Sequence, residues 1–420
     1  MARRRRAPFE PRYVELATSG PSHLGGAVGR IDDLVHFASY AMPGETVRAN
    51  VFAEHGSYVR ASAVEVLANR HPDRTAAPCP YFARCGGCSW QHARYEAETR
   101  IKIEIVIEQM RRLGGFDNPP VRPMIPDTDP YHYRNQARLS TRRDGTIGFA
   151  REGTHAVMTI EHCHLVVPPI NDAIAAIQGH VPKKTHQVLI RHSLRTGESL
   201  IHPALPDVPF ETGQRYIHDR ILDREFRVAA NSFFQVNTRP TRRTLPEAIR
   251  APWLAERVGD WSQADLLALL ALDRLEAGPG DLVLDAYCGV GTFALLVADR
   301  VGRVIAVEEA TSAIEDATHN AGEQSNVTFL RGRVETVLPN LDIRPRAAIL
   351  DPARAGCERP VLDALIARPV ERLVYVSCDP ATLARDLRIL VDGGYHLREI
   401  QPIDMFPRTY HVECVATLER

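Results

Sequence analysis

The run Leu282-Val283-Leu284-Asp285-Ala286-Tyr287-Cys288-Gly289-Val290-Gly291-Thr292-Phe293 passes from an apolar strand through a Gly-x-Gly turn into a helix, and its reading decides the fold class. Glycine lets the backbone turn sharply and approach a ligand closely. Seventeen residues beyond Gly291, Glu308 ends the next apolar run, where a carboxylate can accept hydrogen bonds from ribose hydroxyls. The third glycine of the dinucleotide fingerprint is missing, and no phosphate-binding lysine follows. An adenosine ligand without a pyrophosphate, such as S-adenosylmethionine, suits this pattern better than NAD. Taken alone, the motif is equally compatible with a tight turn that binds nothing.

Around this run, from about Gly280, strands alternate with helices: Leu282–Ala286, Phe293–Arg300, Val304–Val307, Ser312–Gly322, Val327–Leu330, Ala347–Leu350, Leu373–Val376 and Leu383–Leu390. That order predicts a doubly wound, mostly parallel sheet. Pro380 opens the last helix and Gly393-Gly394 closes it. The stretch from Pro240 to Gly280 carries an additional predicted helix, Ala264–Leu275.

Upstream the periodicity changes. Short β-rich runs at Tyr13–Ala17, Gly26–Ile31, Thr46–Phe52 and Tyr58–Leu67, separated by turn residues, predict a small antiparallel barrel over residues 10–70. Tyr95–Leu113 carries Ile103, Val106, Ile107, Met110 and Leu113 on one helical stripe. Its isoleucines at 101, 103, 105 and 107 also alternate with period two, so length decides for a helix. Residues 71–245 as a whole are expected to form a central α+β region that includes a cysteine-rich turn, and residues 246–420 the α/β domain.

The 420 residues carry a formal net charge of -1, 44% hydrophobic residues and eight cysteines. Such a chain can build several cores, and its apolar and charged content exclude a disordered tract-like protein. Met1–Pro8 is basic, with Arg3–Arg6 as an arm, but no apolar stretch follows it, so a cytoplasmic protein without membrane attachment is expected. Disulfides are then disfavoured, and the cysteines call for burial, metal ligation or nucleophilic chemistry.

Ser377-Cys378-Asp379-Pro380 lies just past a predicted strand, where open α/β sheets place their ligands. A cysteine before a helix N-terminus is expected to have its thiolate favoured by the helix dipole, which makes Cys378 a candidate nucleophile. Asp351-Pro352-Ala353-Arg354 follows another strand end in the same way. Cys79, Cys85 and Cys88 place three thiols within ten residues, and Cys163, in Glu161-His162-Cys163-His164, is the candidate fourth ligand. Zinc and an iron–sulfur cluster both remain open on spacing. Glu413, between Val412 and Cys414-Val415, is a carboxylate within an alternating strand, a placement suited to proton transfer.

Together these motifs, in this order, resemble the RNA uracil-C5 methyltransferase family, specifically its branch with a TRAM domain and an iron–sulfur cluster, like the 23S rRNA (uracil-C5)-methyltransferases. Residues 13–70 look like the TRAM barrel, an RNA-binding fold of the oligonucleotide/oligosaccharide-binding kind. Tyr133-Arg134-Asn135-Gln136, Ile147-Gly148-Phe149 and Asn231-Ser232-Phe233-Phe234-Gln235-Val236-Asn237 resemble signatures of the central region. Asp285 to Thr292, Glu308, Asp351 to Arg354, Ser377 to Pro380 and His411-Val412-Glu413 match the catalytic domain. The resemblance implies a Rossmann-like class I methyltransferase sheet, Cys378 as nucleophile and Glu413 as base. It implies that Gln235, Tyr287, Thr292, Glu308 and Asp351 bind S-adenosylmethionine. It also implies a [4Fe-4S] cluster on Cys79, Cys85, Cys88 and Cys163, with a structural role. Two departures stand out: Arg333 occupies a position near the adenine where relatives carry an acidic or amide side chain, and Gln136 replaces a lysine.

The expected activity is formation of 5-methyluridine in structured RNA, 23S rRNA before tRNA, by a monomer that needs no obligate protein partner. Cytosine-C5 methylation would want a second cysteine in a Pro-Cys motif, which Asp351-Pro352-Ala353-Arg354 lacks. A non-catalytic RNA-binding protein would have no use for both Cys378 and Glu413. The near-neutral total also hides an uneven distribution. Residues 131–245 hold 16 Lys and Arg against 10 Asp and Glu, and a local basic field attracts phosphate whatever the sum.

Overall fold

The computed structural model describes residues 12–154 and 156–420. Arg3–Arg6 and the first two residues of the expected barrel domain lie outside the described residues. The chain forms two compact units. The first takes the described residues up to Ile105, together with Phe149–Met158 and Arg408–Tyr410; the second takes Val106–Gly148, Thr159–Pro407 and His411–Arg420.

In the first unit, β1 (Arg12–Pro21), β2 (Ala27–Ile31), β3 (Leu34–Ser39), β4 (Thr46–His55) and β5 (Tyr58–Ala68) close a barrel in the order β1-β2-β3-β5-β4. The barrel is not wholly antiparallel as expected, because β3 pairs with β5 in parallel. Strand β3 escaped the sequence reading since its turn is Asp32-Asp33, both at positive φ (47° and 64°), without the glycine that usually marks such a hairpin. Leu16, Ala27, Ala38, Val47, Ala49 and Val51 fill the interior, and the alanines keep it narrow.

Helix α1 (Tyr95–Arg112) settles the ambiguity of its segment in favour of a helix, but its stripe is rotated from the expected one. Ala97, Ile101 and Ile105 pack with Met42 and Trp90, while Leu113 is 47% exposed. The same face buries an ion cluster in which Glu98 pairs with Lys102 (2.9 Å) and Arg408 (3.2 Å). Opposite charges taken out of water together are tolerable only when paired in this way.

In chain order the remaining elements are β6 (Gln136–Thr141), β7 (Ile147–Ala150), β8 (Val157–Thr159), α2 (Pro168–Ile177), β9 (Gln187–His192), β10 (Ser199–His202), β11 (Tyr216–Ile221), β12 (Arg224–Ala229), β13 (Thr241–Thr244), β14 (Val258–Trp261), α3 (Gln263–Leu275), β15 (Leu282–Ala286), α4 (Thr292–Ala298), β16 (Arg303–Glu308), α5 (Thr311–Ala321), β17 (Val327–Arg331), α6 (Val334–Val337), β18 (Ala347–Leu350), α7 (Arg359–Ala367), β19 (Arg372–Ser377), α8 (Pro380–Asp392), β20 (His396–Ile403) and β21 (Glu413–Glu419). In the second unit β10-β9-β6-β7 are neighbours in a sheet, and β11-β12 and β13-β14 are hairpins.

The seven-stranded sheet of this unit runs β17-β16-β15-β18-β19-β21-β20, parallel except at β21, which is antiparallel to both neighbours. It is the Rossmann-like α/β sheet expected from the Gly-x-Gly run. Helices α3, α4 and α5 line up on one face, and α6, α7 and α8 on the other. The stretch before Gly280 is therefore no appendage: every residue of α3 except Arg274 is buried, and the helix packs on β18, β19 and β21. Ser262 starts it through a capping box with Asp265, in which each side chain accepts the other's backbone N–H. Burying each of its leucines stabilises the domain by about 1.5–3 kcal/mol.

Candidate active site

The carboxyl edge of the sheet gathers the acidic and thiol groups. At the end of β15, Tyr287, Gly289 and Gly291 all take positive φ (70°, 55° and 86°), and the chain turns into α4. Asp285 closes this turn: its Oδ2 accepts the Ala294 N–H at 2.7 Å, a carboxylate on the positive end of a helix. Its Oδ1 is buried and has no hydrogen-bond partner among the described residues. Burial, with Asp351 and Glu308 adding repulsion, pushes the Asp285 carboxyl up to about 8. Burial lifts Asp351, at the end of β18, to about 7. Glu308 accepts the N–H groups of Gly289 (3.1 Å) and Ala310 (2.8 Å), which orients its carboxylate along the turn. Two buried carboxyls whose ionisation is resisted, Asp285 and Asp351, with one orphaned oxygen, form an environment that a cationic ligand relieves.

Cys378 follows β19, and Glu413 begins β21. The two strands pair with Ser377 opposite Cys414, which carries the next residues, Cys378 and Glu413, to the same sheet edge. Glu413 is 4% exposed, and burial together with Asp351 holds its carboxyl well above the usual range, while Arg354 opposes the rise. Burial and then Glu413 push the Cys378 thiol up to about 12, again against Arg354. The expected depression by the helix dipole is overturned. Asp379 caps α8 and its carboxylate takes the N–H groups of Ala381 (2.9 Å) and Thr382 (3.0 Å), so those donors do not serve the sulfur.

Arg354 contacts His411 Nε2 at 2.9 Å. A guanidinium only donates, so Nε2 is the acceptor in this contact. The loop that presents Arg354 is fixed from α8: Thr382 Oγ1 donates to the Arg354 carbonyl (3.0 Å), Arg385 to that of Ala355 (2.9 Å), and Asp386 accepts the Cys357 N–H (2.8 Å). A Cβ at Gly356, where φ is 75°, would stand 2.5 Å from the Asp386 carboxylate, so that position needs glycine. The sequence shows the Asp-Pro-Ala-Arg motif, but no residue spacing announces that Arg354 and His411 meet.

Comparison with known proteins agrees with this geometry. Residues 341–420, which carry Asp351, Arg354, Cys378 and Glu413, match the family model of tRNA (uracil-5-)-methyltransferase. An uncharacterized RNA methyltransferase of Halalkalibacterium halodurans is 33% identical over 97% of this chain and 96% of its own length. The chain belongs to the RNA uracil-C5 methyltransferase family. An uncharacterized RNA methyltransferase of Streptomyces avermitilis is likewise 33% identical, over 95% of this chain and 96% of its own. Among solved structures, the Pyrococcus abyssi tRNA (uracil-54, C5)-methyltransferase in complex with S-adenosyl-L-homocysteine superposes with a TM-score of 0.69 at 23% identity, covering 96% of this chain and all of that one. This likeness shows a shared fold.

The other residues singled out in this methyltransferase sequence are placed less compactly. Tyr287 meets the Cys357 thiol, and Thr292 starts α4. Gln235 is buried beside Asn135, whose side-chain amide donates to the Gln235 carbonyl at 2.9 Å. Its segment is tied to α5, where Asp316 accepts from Ser232 Oγ and from the Ala229 N–H, both at 2.7 Å. Among the described residues Gln235 and Thr292 form no hydrogen bond with the Asp285, Glu308 and Asp351 side chains. Arg333 pairs with Glu335 and, at 3.0 Å, with Glu358, so it is held by acidic neighbours.

The cysteine turn belongs to the first unit. The Gln91 amide bridges it, donating to Cys88 Sγ (3.1 Å) and accepting the Cys79 N–H (3.3 Å). The Gly86 N–H donates to the Ala150 carbonyl at 3.0 Å, which pins the turn to the returning segment. In the second unit the Leu165 N–H points at Cys163 Sγ (3.4 Å), and Asn171 binds the Cys163 backbone from both sides. Among the described residues no group of three or more His, Cys, Asp or Glu side chains is arranged to hold a metal ion. No described helix is long and apolar enough to cross a membrane.

Proposed function

We propose that the protein methylates carbon 5 of a uridine in structured RNA with S-adenosylmethionine as donor, Cys378 as nucleophile and Glu413 as base. The observation that carries this reading is the convergence of Cys378, Glu413 and Arg354 at one sheet edge beside the carboxylates of Asp285 and Asp351.

Carbon 5 of uracil is a poor nucleophile, whereas carbon 6 is electron-poor. The Cys378 thiolate adds to carbon 6, and the displaced π pair makes an enolate across carbon 5 and O4. When bound, S-adenosylmethionine supplies a methyl group made electrophilic by its sulfonium. Once carbon 5 carries both a methyl group and its original hydrogen, the Glu413 carboxylate removes that proton. The electron pair re-forms the ring double bond and expels the Cys378 thiolate. A carboxyl whose ionisation is resisted is the stronger base once ionised, which suits Glu413 to this step. Arg354 favours the charged form of both partners. The orphaned Asp285 Oδ1 and the Asp351 carboxylate fit the positive charges of the donor's sulfonium and ammonium groups, and Glu308 suits its ribose. Because the target is stacked within folded RNA, the uridine must be splayed into the site, at a cost of a few kcal/mol for unstacking.

The substrate we propose is large-subunit ribosomal RNA, on the combination of the closed barrel with the cysteine turn. Cys79, Cys85, Cys88 and Cys163 are proposed as ligands of a [4Fe-4S] cluster with a structural role. Thiol-only donors suit iron–sulfur chemistry, and N–H donors already directed at Cys88 and Cys163 suit the charge such sulfurs carry. Anaerobic purification should give a brown protein with equal iron and sulfide; a colourless zinc protein would exclude the cluster.

The decisive test uses RNA labelled with tritium at uridine carbon 5. Release of one tritium per methyl group transferred is expected, and methyl transfer without release would refute uracil-C5 chemistry. Nucleoside mass spectrometry with site mapping on ribosomal RNA and tRNA then identifies which RNA carries the product.

A further inference from the structure

The first unit holds a cavity of about 420 Å3 that none of the preceding chemistry uses. Such a volume lies within the ~300–1,000 Å3 range of small-molecule sites. Gly86 and Ser89 of the cysteine turn are among its lining residues, but none of the four proposed cluster ligands is. Its polar wall is made by Glu152, Tyr40, Ser39 and Arg60, with Tyr410 and Leu24 adding apolar surface. Glu152 is oriented from behind: Ser39 Oγ donates to its Oε1 (3.4 Å), and its carboxylate shares a hydrogen bond with the largely buried Tyr40 phenol. Arg60 lies over the Phe52 ring (5.3 Å to the centroid) and forms no ion pair among the described residues.

From this arrangement we propose that the cavity binds one guanosine nucleotide of the RNA substrate, with Glu152 on the base and Arg60 on a phosphate. The chemistry discriminates between bases. A carboxylate only accepts, and guanine alone presents two adjacent donors, N1–H and the 2-amino group, on one edge. Adenine and cytosine each set a ring-nitrogen lone pair beside their amine, and uracil flanks its single N–H with two carbonyls, so each would face Glu152 with a repelling acceptor. Tyr410 offers ring surface to the base, and stacking on aromatic side chains is the usual way an unstacked nucleotide is held. Arg60, without a carboxylate partner, keeps its charge for a phosphate.

This inference rests on RNA being the substrate, and its test separates the two. Substrate RNA is transcribed with sparse inosine, which lacks the 2-amino group, in place of guanosine; the fraction bound by the full-length protein is then recovered and the inosine positions mapped. One position should be depleted at least threefold in the bound fraction for the wild-type protein and should fall silent in Glu152→Gln. That variant should also raise KM for RNA about tenfold at unchanged kcat, the scale of losing one base-edge contact. Arg60→Met touches no buried partner and should weaken RNA binding with a shallower salt dependence, while the inosine-sensitive position persists. Absence of any sensitive position in the wild type, or its persistence in Glu152→Gln, overturns the pocket. Interference without formation of 5-methyluridine would instead overturn the reaction and leave the pocket standing.

Discussion

Two thiols at the same sheet edge, Cys357 and Cys378, are both pushed up to about 12 by burial, yet their surroundings differ in kind. Cys357 is 4% exposed and sits in a closed network: its N–H donates to Asp386 (2.8 Å) and to the Tyr375 phenol (3.2 Å), and its sulfur meets Tyr287 and Tyr375. Cys378 is partly open and faces Glu413, Arg354 and Asp351, all of them ionisable. A depressed resting pKa therefore does not mark the proposed nucleophile, Cys378. What marks it is access, with charged neighbours whose balance a substrate or a cationic donor can tip.

The largest expected effect tests that contrast directly. Cys378→Ala should lower methyl transfer by about 10^4-fold or more, the scale of losing a covalent nucleophile, without lowering the melting temperature. Cys357→Ser should leave turnover within about tenfold, a scale far below that of a lost nucleophile. Equal losses in the two variants, with both proteins folded, would break the comparison. Glu413→Gln should cost about 10^2–10^4-fold in turnover. It should also accumulate an RNA–protein adduct that survives denaturing electrophoresis, since the proton that must leave before Cys378 is expelled stays in place. No adduct should form when Cys378 is also replaced.

Arg354 comes next, because it is the neighbour that opposes both raised pKa values. Arg354→Met should slow turnover about tenfold at neutral pH, the scale of one unit in a titrating group. The sign is fixed by the thiol: neutral pH lies far below its pKa of about 12, so the thiolate fraction rises with pH by the same factor in both proteins, and both activities should climb in parallel with the variant about tenfold lower. A loss confined to KM for RNA, with kcat unchanged, would mean that Arg354 acts only on RNA. A smaller effect belongs to Asp351, raised to about 7. Its carboxylate forms as pH rises through that value, so affinity for the positively charged S-adenosylmethionine should increase about fivefold from pH 6 to 8, with proton release on binding in calorimetry. Asp351→Asn should flatten this dependence.

The sequence carried some of these features openly and hid others for identifiable reasons. Strand-to-helix alternation from Leu282 to Leu390 was legible because each parallel strand is a short apolar run and the last helix carries its own start and stop signals, Pro380 and Gly393-Gly394. Strand β3 was hidden by an Asp-Asp turn, and the role of α3 by its central run, Leu266–Leu272, being apolar all round, which tells that a helix is buried but not against what. At the site, Cys378 was visible as a residue just past a strand end and Glu413 as a carboxylate within a strand, which the structure places at the first position of β21. Arg354–His411 and the Asp285–Asp351 repulsion were not, since they depend on β18 lying beside β15 and β19, a matter of strand order. The helix-dipole argument failed at Cys378 because the next residue, Asp379, takes the donors itself.

The smallest expected effect concerns the closed network around the other thiol. Tyr375 is fully buried, and its hydroxyl donates to Asp386 (2.7 Å) while accepting the Cys357 N–H. Tyr375→Phe removes that donor and leaves Asp386 less satisfied in a dry setting, which should cost about 1–3 kcal/mol of stability and lower the unfolding midpoint. Turnover should change by less than about threefold, far under the loss expected for a group that contacts the reacting atoms. The reason lies in redundancy: the loop bearing Arg354 keeps its bonds from Thr382 to Arg354, from Arg385 to Ala355 and from the Cys357 N–H to Asp386. If Tyr375→Phe instead cut turnover as deeply as Arg354→Met and shifted its pH profile in the same direction, the Cys357 network would be what sets the reach of Arg354 toward Cys378, and the two thiol regions would be one device rather than two.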